Sequence, residues 1–539
     1  MKSFTSRALE LIAILCLSLV IFGCGGGGSG SSPSASTTSI SGSVLAGPAM
    51  GAVVIIKSAG VEIARSGASA ADGSFTVNIP TSELSKDLIF ETSDGTFPDE
   101  ATSTPGVAMG AFTAYVSGGT LTAGANVTID PSSTIIQKLV AGGRTRTAAE
   151  GVFASAFGYT PDCSIKPAFA TISSASTTSQ RLTGLRAAAF SQLTKDLGLT
   201  PAKQFELIQA LSDDLSDGVL NGLKAGGTPV TTASGNAIPV DIANCFAKAL
   251  MTFQASALNK SKLTTDKIDP PPFAKKALTA SYLVEYIPGM MSAAQGKTSF
   301  KIKLSNRSDG SPATGKTITL MPRMYMPTMS HAAPVDTVVE SATPGTYDCS
   351  VYYLMASGPG MGIWELKVMI GMETATFYPP VAMAMGTTSR ATLKGVSDVI
   401  GSMMGMGTSP RSYYLFNDGS TFGMSSSFKL FIAAADDSMM MKFPAVSAGT
   451  TLHDQMNAAW TVNGGTSSVL VSSDGGSSWV TAADNGGGHW SATGLNGLAS
   501  GGAIRVKVNI NGEQKTTTGS ATLSTSNLDY ALFTVVSGM

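Results

Sequence analysis

Residues 39–130 alternate apolar and polar side chains, in short runs separated by turns rich in Gly and Ser. Ala52–Lys57 is one such run, and Phe75, Val77 and Ile79 fall on one face of another. A period of two residues is typical of strands that bury one face against a core. The pattern therefore predicts a β-sandwich over residues 39–130.

The apolar period lengthens to three and four residues after this segment. Asp130-Pro131 is typical of a helix start, since an acidic cap is followed by a first-turn proline. Thr147–Glu150 has the spacing of a capping box, and Leu185 and Leu193 share one helical face. These signals predict a domain of short amphipathic helices over residues 131–276.

Strand patterning returns over residues 277–386, where Phe300 and Ile302 alternate with lysines. Residues 387–410 are rich in Gly, Ser and Met and predict a connector, and strand patterns resume over residues 411–539. The whole pattern predicts a multi-domain, mainly β chain. We expect two to three Ig-like β-sandwiches, with a helical domain between the first and the second.

The N-terminus has the pattern of an export signal. Lys2 and Arg7 precede an apolar run at residues 11–22, which is about a dozen residues long where a membrane-spanning helix needs roughly 20. Such a run is typical of a secretory signal peptide, which we predict at residues 1–23. Residues 24–38 are mostly Gly and Ser and predict a flexible tether.

Ile21-Phe22-Gly23-Cys24 resembles the bacterial lipobox. The resemblance implies that Cys24 becomes the lipid-modified first residue of the mature chain, so that a lipid bilayer is its first partner. Gly25 follows rather than Asp, which by analogy favours the outer membrane over the inner one. An uncleaved anchor helix is the alternative, and both readings place the rest of the chain outside the cytoplasm.

Two further motifs resemble known exported modules. The order of Gly42-Ser-Val44, an apolar strand and Asp72-Gly-Ser-Phe75 resembles the carboxypeptidase regulatory-like β-sandwich. This family is a small structural module, so the resemblance implies no peptidase activity.

The predicted second sandwich resembles the YtkA/FixH-like domain. Its ordered motif pieces are Asp309–Pro312, Met326–His331, Gly345–Tyr347 and Gly362–Leu366. One departure lies within the second piece, where Ser330 precedes the histidine and relatives often have Gly. The resemblance implies a β-sandwich of about 100 residues.

Composition and motif content argue against several functions. Charged residues make up 13% of the chain and the net charge is −1, so no basic surface for nucleic acid is expected. The three histidines are far apart, and the chain has no H-E-x-x-H, G-x-S-x-G or P-loop motif. Ser472–Trp479 resembles a single Asp-box hairpin, which is a structural turn. We therefore predict that the chain is not an enzyme.

Cleavage before Cys24 leaves three other cysteines, so one intrachain disulfide at most can form. Cys163 and Cys245 lie in the predicted helical domain and are the expected pair in an oxidising compartment. Cys349 is then left without a disulfide partner, and we expect it to be a buried strand residue.

Methionine is the compositional anomaly, because twenty of the 25 methionines lie between positions 290 and 456. Thioether sulfur is soft and uncharged, and it binds Cu(I) or Ag(I) in preference to hard cations. Met324, Met326, Met329 and His331 lie within eight residues and are the predicted metal ligands. Methionine also fills irregular cores, and that interpretation stays open for these residues.

Other methionines have separate expectations. The Met290–Met291 pair and Met369 are expected to pack, while Met403–Met406 and Met439–Met441 are candidate secondary sites for Cu(I) or a sticky face for a partner.

The leading hypothesis is thus an outer-membrane lipoprotein that binds Cu(I) through its YtkA/FixH-like domain. The alternative is a structural or adhesive surface lipoprotein whose sandwich modules bind an envelope protein or a glycan, with methionines that only pack.

Overall fold

The structure is a computed structural model that describes residues 36–401, 407–423, 425–436 and 442–536. Within these ranges the chain is multi-domain and mainly β, with three pairs of packed sheets and a helical region between the first and second pairs. The predicted fold class is confirmed.

Several predicted features lie outside the described residues. They are the signal peptide with Cys24, the tether up to residue 35, and the clusters Met403–Met406 and Met439–Met441. Among the helices of the described ranges, none is long and apolar enough to cross a membrane.

The first sandwich packs a three-stranded sheet, in the order β4-β1-β9, against a four-stranded sheet, in the order β3-β2-β5-β8. Phe75, Val77 and Ile79 are buried while the residues between them face outward, so the predicted alternation is confirmed. The strands are β1 Thr37–Val44, β2 Val53–Ser58, β3 Val61–Ala68, β4 Ser74–Pro80, β5 Leu88–Ser93, β6 Thr96–Phe97, β7 Val107–Ala108, β8 Thr113–Val116 and β9 Asn126–Ile129.

One of the two helix starts predicted from the sequence is confirmed and the other is wrong. The carboxylate of Asp130 accepts the N–H of Ser133 at 2.7 Å, which confirms the predicted helix start. The second helix is capped by Thr145, so the predicted capping box at Thr147–Glu150 is wrong; the glutamate instead pairs with Arg146 at 2.8 Å. The helices are α1 Pro131–Ala141, α2 Arg146–Phe157, α3 Thr178–Asp196, α4 Gln204–Asp214 and α5 Ile242–Gln254.

The helices and the first sandwich share one hydrophobic core. Phe205 of α4 packs against Phe97 and Phe112, with ring centroids 5.9 Å and 4.7 Å away. Residues 39–130 and 131–276, which the sequence predicts as two domains, therefore bury their apolar faces against each other.

The second sandwich packs a five-stranded sheet, in the order β10-β11-β12-β16-β15, against a four-stranded sheet, in the order β14-β13-β17-β18. Phe300 and Ile302 face the shared core, as the alternation predicts. The strands are β10 Lys276–Leu278, β11 Tyr282–Pro288, β12 Gly296–Asn306, β13 Ile318–Tyr325, β14 Ser330–Ala332, β15 Val335–Glu340, β16 Thr346–Tyr353, β17 Ile363–Ile370 and β18 Glu373–Phe377.

The C-terminal sandwich begins earlier than predicted. Residues 390–401, expected within a connector at 387–410, form a strand that pairs with the next one, and Leu393 is buried in the core. The expectation was wrong because backbone pairing overrides a Gly- and Ser-rich composition. The strands are β19 Arg390–Gly401, β20 Thr408–Thr421, β21 Ser427–Ala434, β22 Thr451–His453, β23 Ala459–Thr461, β24 Ser468–Ser472, β25 Val480–Thr481, β26 Ala483–Asp484, β27 His489–Thr493, β28 Ala503–Ile510, β29 Glu513–Gln514 and β30 Ala531–Thr534.

The second and C-terminal sandwiches meet through an apolar contact with a polar bridge beside it. The ring of Tyr352 stacks on Phe431 with centroids 4.0 Å apart. His489 lies between two carboxylates, with Nδ1 3.1 Å from Asp418 and Nε2 3.1 Å from Asp336. The bridge joins the sandwiches, because Asp336 belongs to the second and the other two residues to the C-terminal one.

Candidate metal centre

The four predicted ligand residues lie on the hairpin formed by β13 and β14. Met324 stands opposite His331 in the antiparallel register, and directly opposed residues point to the same face of a sheet. Two residues further toward the turn, Met326 and Met329 close the hairpin, because the N–H of Met326 donates to the carbonyl of Met329 at 2.9 Å. All four side chains therefore belong to one face of the hairpin.

This face runs from the protein core to solvent. Met324 is 0% exposed and His331 is 7% exposed, whereas Met329 at the turn is 39% exposed. Met326 is partly buried against the same core. The thioether of Met329 is thus the outermost of the four side chains, and the imidazole of His331 and the thioether of Met324 are the innermost.

Trp364 is a neighbour that sequence reasoning did not assign to the site. It stands opposite Met324 on the other side of β13, and its ring lies edge-on to His331 with centroids 5.3 Å apart. The indole Nε1 donates to the carbonyl of Met355 at 2.9 Å, which holds the ring in place. The tryptophan was visible in the Gly-x-Trp motif, but its position beside the hairpin depends on a pairing between distant strands.

The imidazole of His331 is held in one tautomer. Its Nδ1–H donates to the carbonyl of Ala332 at 2.7 Å, which leaves the lone pair on Nε2. Metal-binding histidines have this arrangement, in which one ring nitrogen donates to a carbonyl and the other faces the metal. Burial lowers the pKa of His331 below its ordinary value, so the ring is kept neutral.

The donor set matches a soft monovalent ion. It consists of thioethers and one neutral imidazole, and these suit Cu(I), whereas carboxylates suit hard divalent cations. Within the described residues, no group of three or more His, Cys, Asp or Glu side chains is placed to hold a metal. Glu365 lies beside the hairpin, but it accepts the hydroxyl of Tyr325 at 3.2 Å and pairs with Lys367.

Two more methionines approach the same end of the sandwich. Met355 and Met361 are partly buried against the core that contains Met324. Gly362 allows this approach, because a Cβ there would lie 2.2 Å from the carbonyl oxygen of Tyr325. Its φ of +139° also lies in a region that favours glycine.

The disulfide expected between Cys163 and Cys245 is not formed, since both cysteines are free. They have separate surroundings. Cys163 lines a small cavity with Asp130 and Arg186, whereas Cys245 sits in the first turn of α5, where its thiol bonds to Asp241. The two cysteines belong to the same helical region, but their sulfur atoms are not bonded to each other.

Cys349 is a free, buried residue of β16, as the sequence predicts. Burial raises the pKa of Cys163 and Cys349 to about 12. It also raises the pKa of Cys245 well above its ordinary value. The three side chains are therefore thiols and not thiolates at neutral pH, and they are poor metal ligands in that form.

The remaining histidines do not meet each other. His453 bonds through Nδ1 to Asp436 at 2.8 Å, and His489 forms the bridge between the sandwiches. Residues 472–479 form a tight turn, in which Asp474 accepts the N–H of Ser478 at 3.0 Å and Trp479 Nε1 donates to the carbonyl of Gly476 at 3.1 Å.

Two methionines outside the hairpin differ from their predicted burial. Met290 and Met291, which were expected to pack, are exposed. The reason is their position in the loop between β11 and β12, beyond the last paired residue, Pro288.

Among known proteins, the chain matches no family model and no curated protein. Among solved structures it is similar to a chimeric titin Z1Z2 functionalized with a KLER exogenous peptide from decorin, with 10% identity and a TM-score of 0.12 over 48% of this chain and 100% of that one. It is also similar to the titin domains Z1Z2 in complex with telethonin, with 11% identity and a TM-score of 0.12 over 49% of this chain and 98% of that one. Likeness at this level is distant and says nothing about ligands or partners.

Proposed function

We propose that this protein binds Cu(I) at the β13–β14 hairpin and serves in copper handling or tolerance. The observation that carries the proposal is the register, which puts Met324, Met326, Met329 and His331 on one face of the hairpin. The free Nε2 of the imidazole and the ring of Trp364 support it, since an indole ring stabilises a nearby cation.

The resemblance to YtkA/FixH-like domains agrees with this location, because its Met-Pro-x-Met-x-His piece is the hairpin turn itself. We also propose, from the lipobox resemblance, that the chain is exported and anchored by acylated Cys24, with the outer membrane as the expected location. Mass spectrometry of the mature N-terminus tests the anchor, and an unmodified or uncleaved N-terminus would contradict it.

The metal site is tested by titrating the full chain with Cu(I) in the presence of a competing chelator. The test variant is Met326→Leu/Met329→Leu, which keeps side-chain volume and removes two thioethers at the solvent end of the face. Met321→Leu is the matched control, because Met321 lies on β13 with its exposed side chain on the opposite face.

We expect stoichiometric binding by the wild type and the control, and at least a tenfold weaker affinity in the double variant. Binding no tighter than the chelator background, or equal binding by all three proteins, would contradict the metal proposal. That outcome would favour the alternative, a structural or adhesive module.

A further inference from the structure

Four methionines line one groove between the second and C-terminal sandwiches. Met290, Met291, Met383 and Met385, called here the methionine groove, have exposed fractions between 60% and 106%. The cavity they border has a volume of about 650 Å³ and is also lined by residues 417–420. These side chains fill no core, so packing does not account for them.

Hydrogen bonds hold the two methionine-bearing loops side by side. The N–H of Gln295 donates to the carbonyl of Ala382 at 2.9 Å, and the N–H of Ala382 donates to the carbonyl of Ala293 at 2.9 Å. Ala294 and Ala382 also form a parallel β-bridge. The loop that follows β11 and the loop that follows β18 therefore keep their methionines at one groove.

The loop that follows β18 is also fixed by hydrogen bonds just after its two methionines. The N–H of Thr388 donates to the carbonyl of Thr534 at 2.9 Å, and the N–H of Asn417 donates to the carbonyl of Ser389 at 3.0 Å. Met383 and Met385 thus lie on a short span fixed at both ends. The backbone is ordered in advance while the thioethers are free to turn toward a ligand, which reduces the entropy lost on binding.

The charged groups at the groove are already paired. Asp418 accepts from the Nζ of Lys297 at 2.6 Å and from the hydroxyl of Tyr352 at 3.0 Å, and His489 bonds to its other oxygen. Its carboxylate is therefore occupied and offers little to a hard cation. The thioether sulfurs of the four methionines are ligands for soft cations.

We propose that the methionine groove is a second site for a soft monovalent cation, Cu(I) or Ag(I), that is reached directly from solvent. The site takes its ligands from four thioethers on two loops, and it shares no residue with the β13–β14 hairpin. It goes beyond the proposed function, because it would stand even if the hairpin bound no metal.

The test is an Ag(I) titration of the full chain labelled with [methyl-13C]methionine, with each methionine methyl group observed by NMR. Ag(I) stands in for Cu(I) and is not readily oxidised. The variant is Met383→Leu/Met385→Leu, which keeps the groove apolar and removes two sulfurs. The control is Met372→Leu/Met456→Leu, which replaces two exposed methionines elsewhere.

In the wild type and the control, we expect the Met290 and Met291 methyl signals to shift together and saturate. In the Met383→Leu/Met385→Leu variant, half-saturation of these signals should need at least ten times more Ag(I). The free cysteines are the same in every variant, so any uptake of Ag(I) by them is common to all.

Three results would overturn the inference. The groove methyls do not shift, or they shift only as weakly as Met372 does in the wild type, or the variant titrates like the wild type. The last result would show that the sulfurs of Met383 and Met385 take no part in binding Ag(I). The methyl signals of Met326 and Met329 in the same spectra report the hairpin separately, so failure of one site is distinguishable from failure of the other.

Discussion

Glu100 shows how one buried side chain makes stability depend on pH. It lies between the first sandwich and the helices, and Asp99 is its neighbour. Desolvation, with a further contribution from the charge of Asp99, raises its pKa from the ordinary 4.5 to about 8. The folded state therefore holds a proton that the unfolded state has already lost at neutral pH.

Replacing this carboxyl group should stabilise the protein at high pH only. The penalty from Glu100 is absent well below pH 4.5, because both states are protonated there, and it grows with pH up to a limit of about 5 kcal/mol above pH 8. We expect Glu100→Gln to melt several degrees higher than wild type at pH 8 and at nearly the same temperature at pH 5, by calorimetry. Glu62→Gln, an exposed control, should not show this difference. A gain of equal size at both pH values would contradict the assignment.

At the scale of elements, a buried cation ties three segments of the C-terminal sandwich together. Arg411 on β20 is fully buried, and its Nε donates to both carboxylate oxygens of Asp398 at 2.9 Å and 3.1 Å. Its Nη1 donates to the carbonyl of Ala435 at 2.7 Å and to Asp436 at 3.1 Å. The guanidinium therefore neutralises carboxylates on β19 and on the segment after β21.

Removing this cation should be costly, because two poorly solvated carboxylates lose their buried guanidinium. The longer contact of Lys515 with Asp398 and the bond of His453 to Asp436 remain beside them. We expect Arg411→Met to lower the free energy of unfolding by about 3–5 kcal/mol. Urea unfolding followed by tryptophan fluorescence measures it, since three of the four tryptophans lie in this sandwich. Arg65→Met, which breaks an exposed pair with Glu62, is the control and should change little. Equal effects of the two substitutions would show that the buried network does not stabilise the sandwich.

At the scale of the whole molecule, His489 connects two sandwiches that carry different parts of the proposed chemistry. The second sandwich holds the hairpin, and the methionine groove lies where the two sandwiches meet. The ring of His489 is bonded to a carboxylate on each side, so it fixes how the two bodies are placed.

We expect His489→Gln to loosen this interface without unfolding either sandwich, because a glutamine side chain cannot span both carboxylates in the same geometry. Hydrogen exchange should become faster in β15 and at the Asp418 end of β20, and stay unchanged in the first sandwich. His453→Gln is the matched control, since His453 bonds to Asp436 within one sandwich. Exchange that increases equally in both variants would rule out a linking role for His489.

Much of the local structure was readable from the sequence. Alternation predicted the buried face of Phe75, Val77 and Ile79, and Asp130-Pro131 predicted the start of α1. The four candidate ligand residues were also predicted to lie together, because a hairpin turn brings residues that are near in sequence onto one face. These features depend on spacing over a few residues, which the chain carries locally.

The tertiary structure alone decided the features that join distant residues. Trp364 reaches the hairpin because β17 pairs with β13, and Met290 and Met383 line one groove because their loops share a bridge at Ala382. Residues 390–401 of the predicted connector form β19 for the same reason, since their partner strand and buried Leu393 outweighed their composition. Local periodicity predicts which face of an element is apolar, but strand pairing and burial between sheets determine which faces meet.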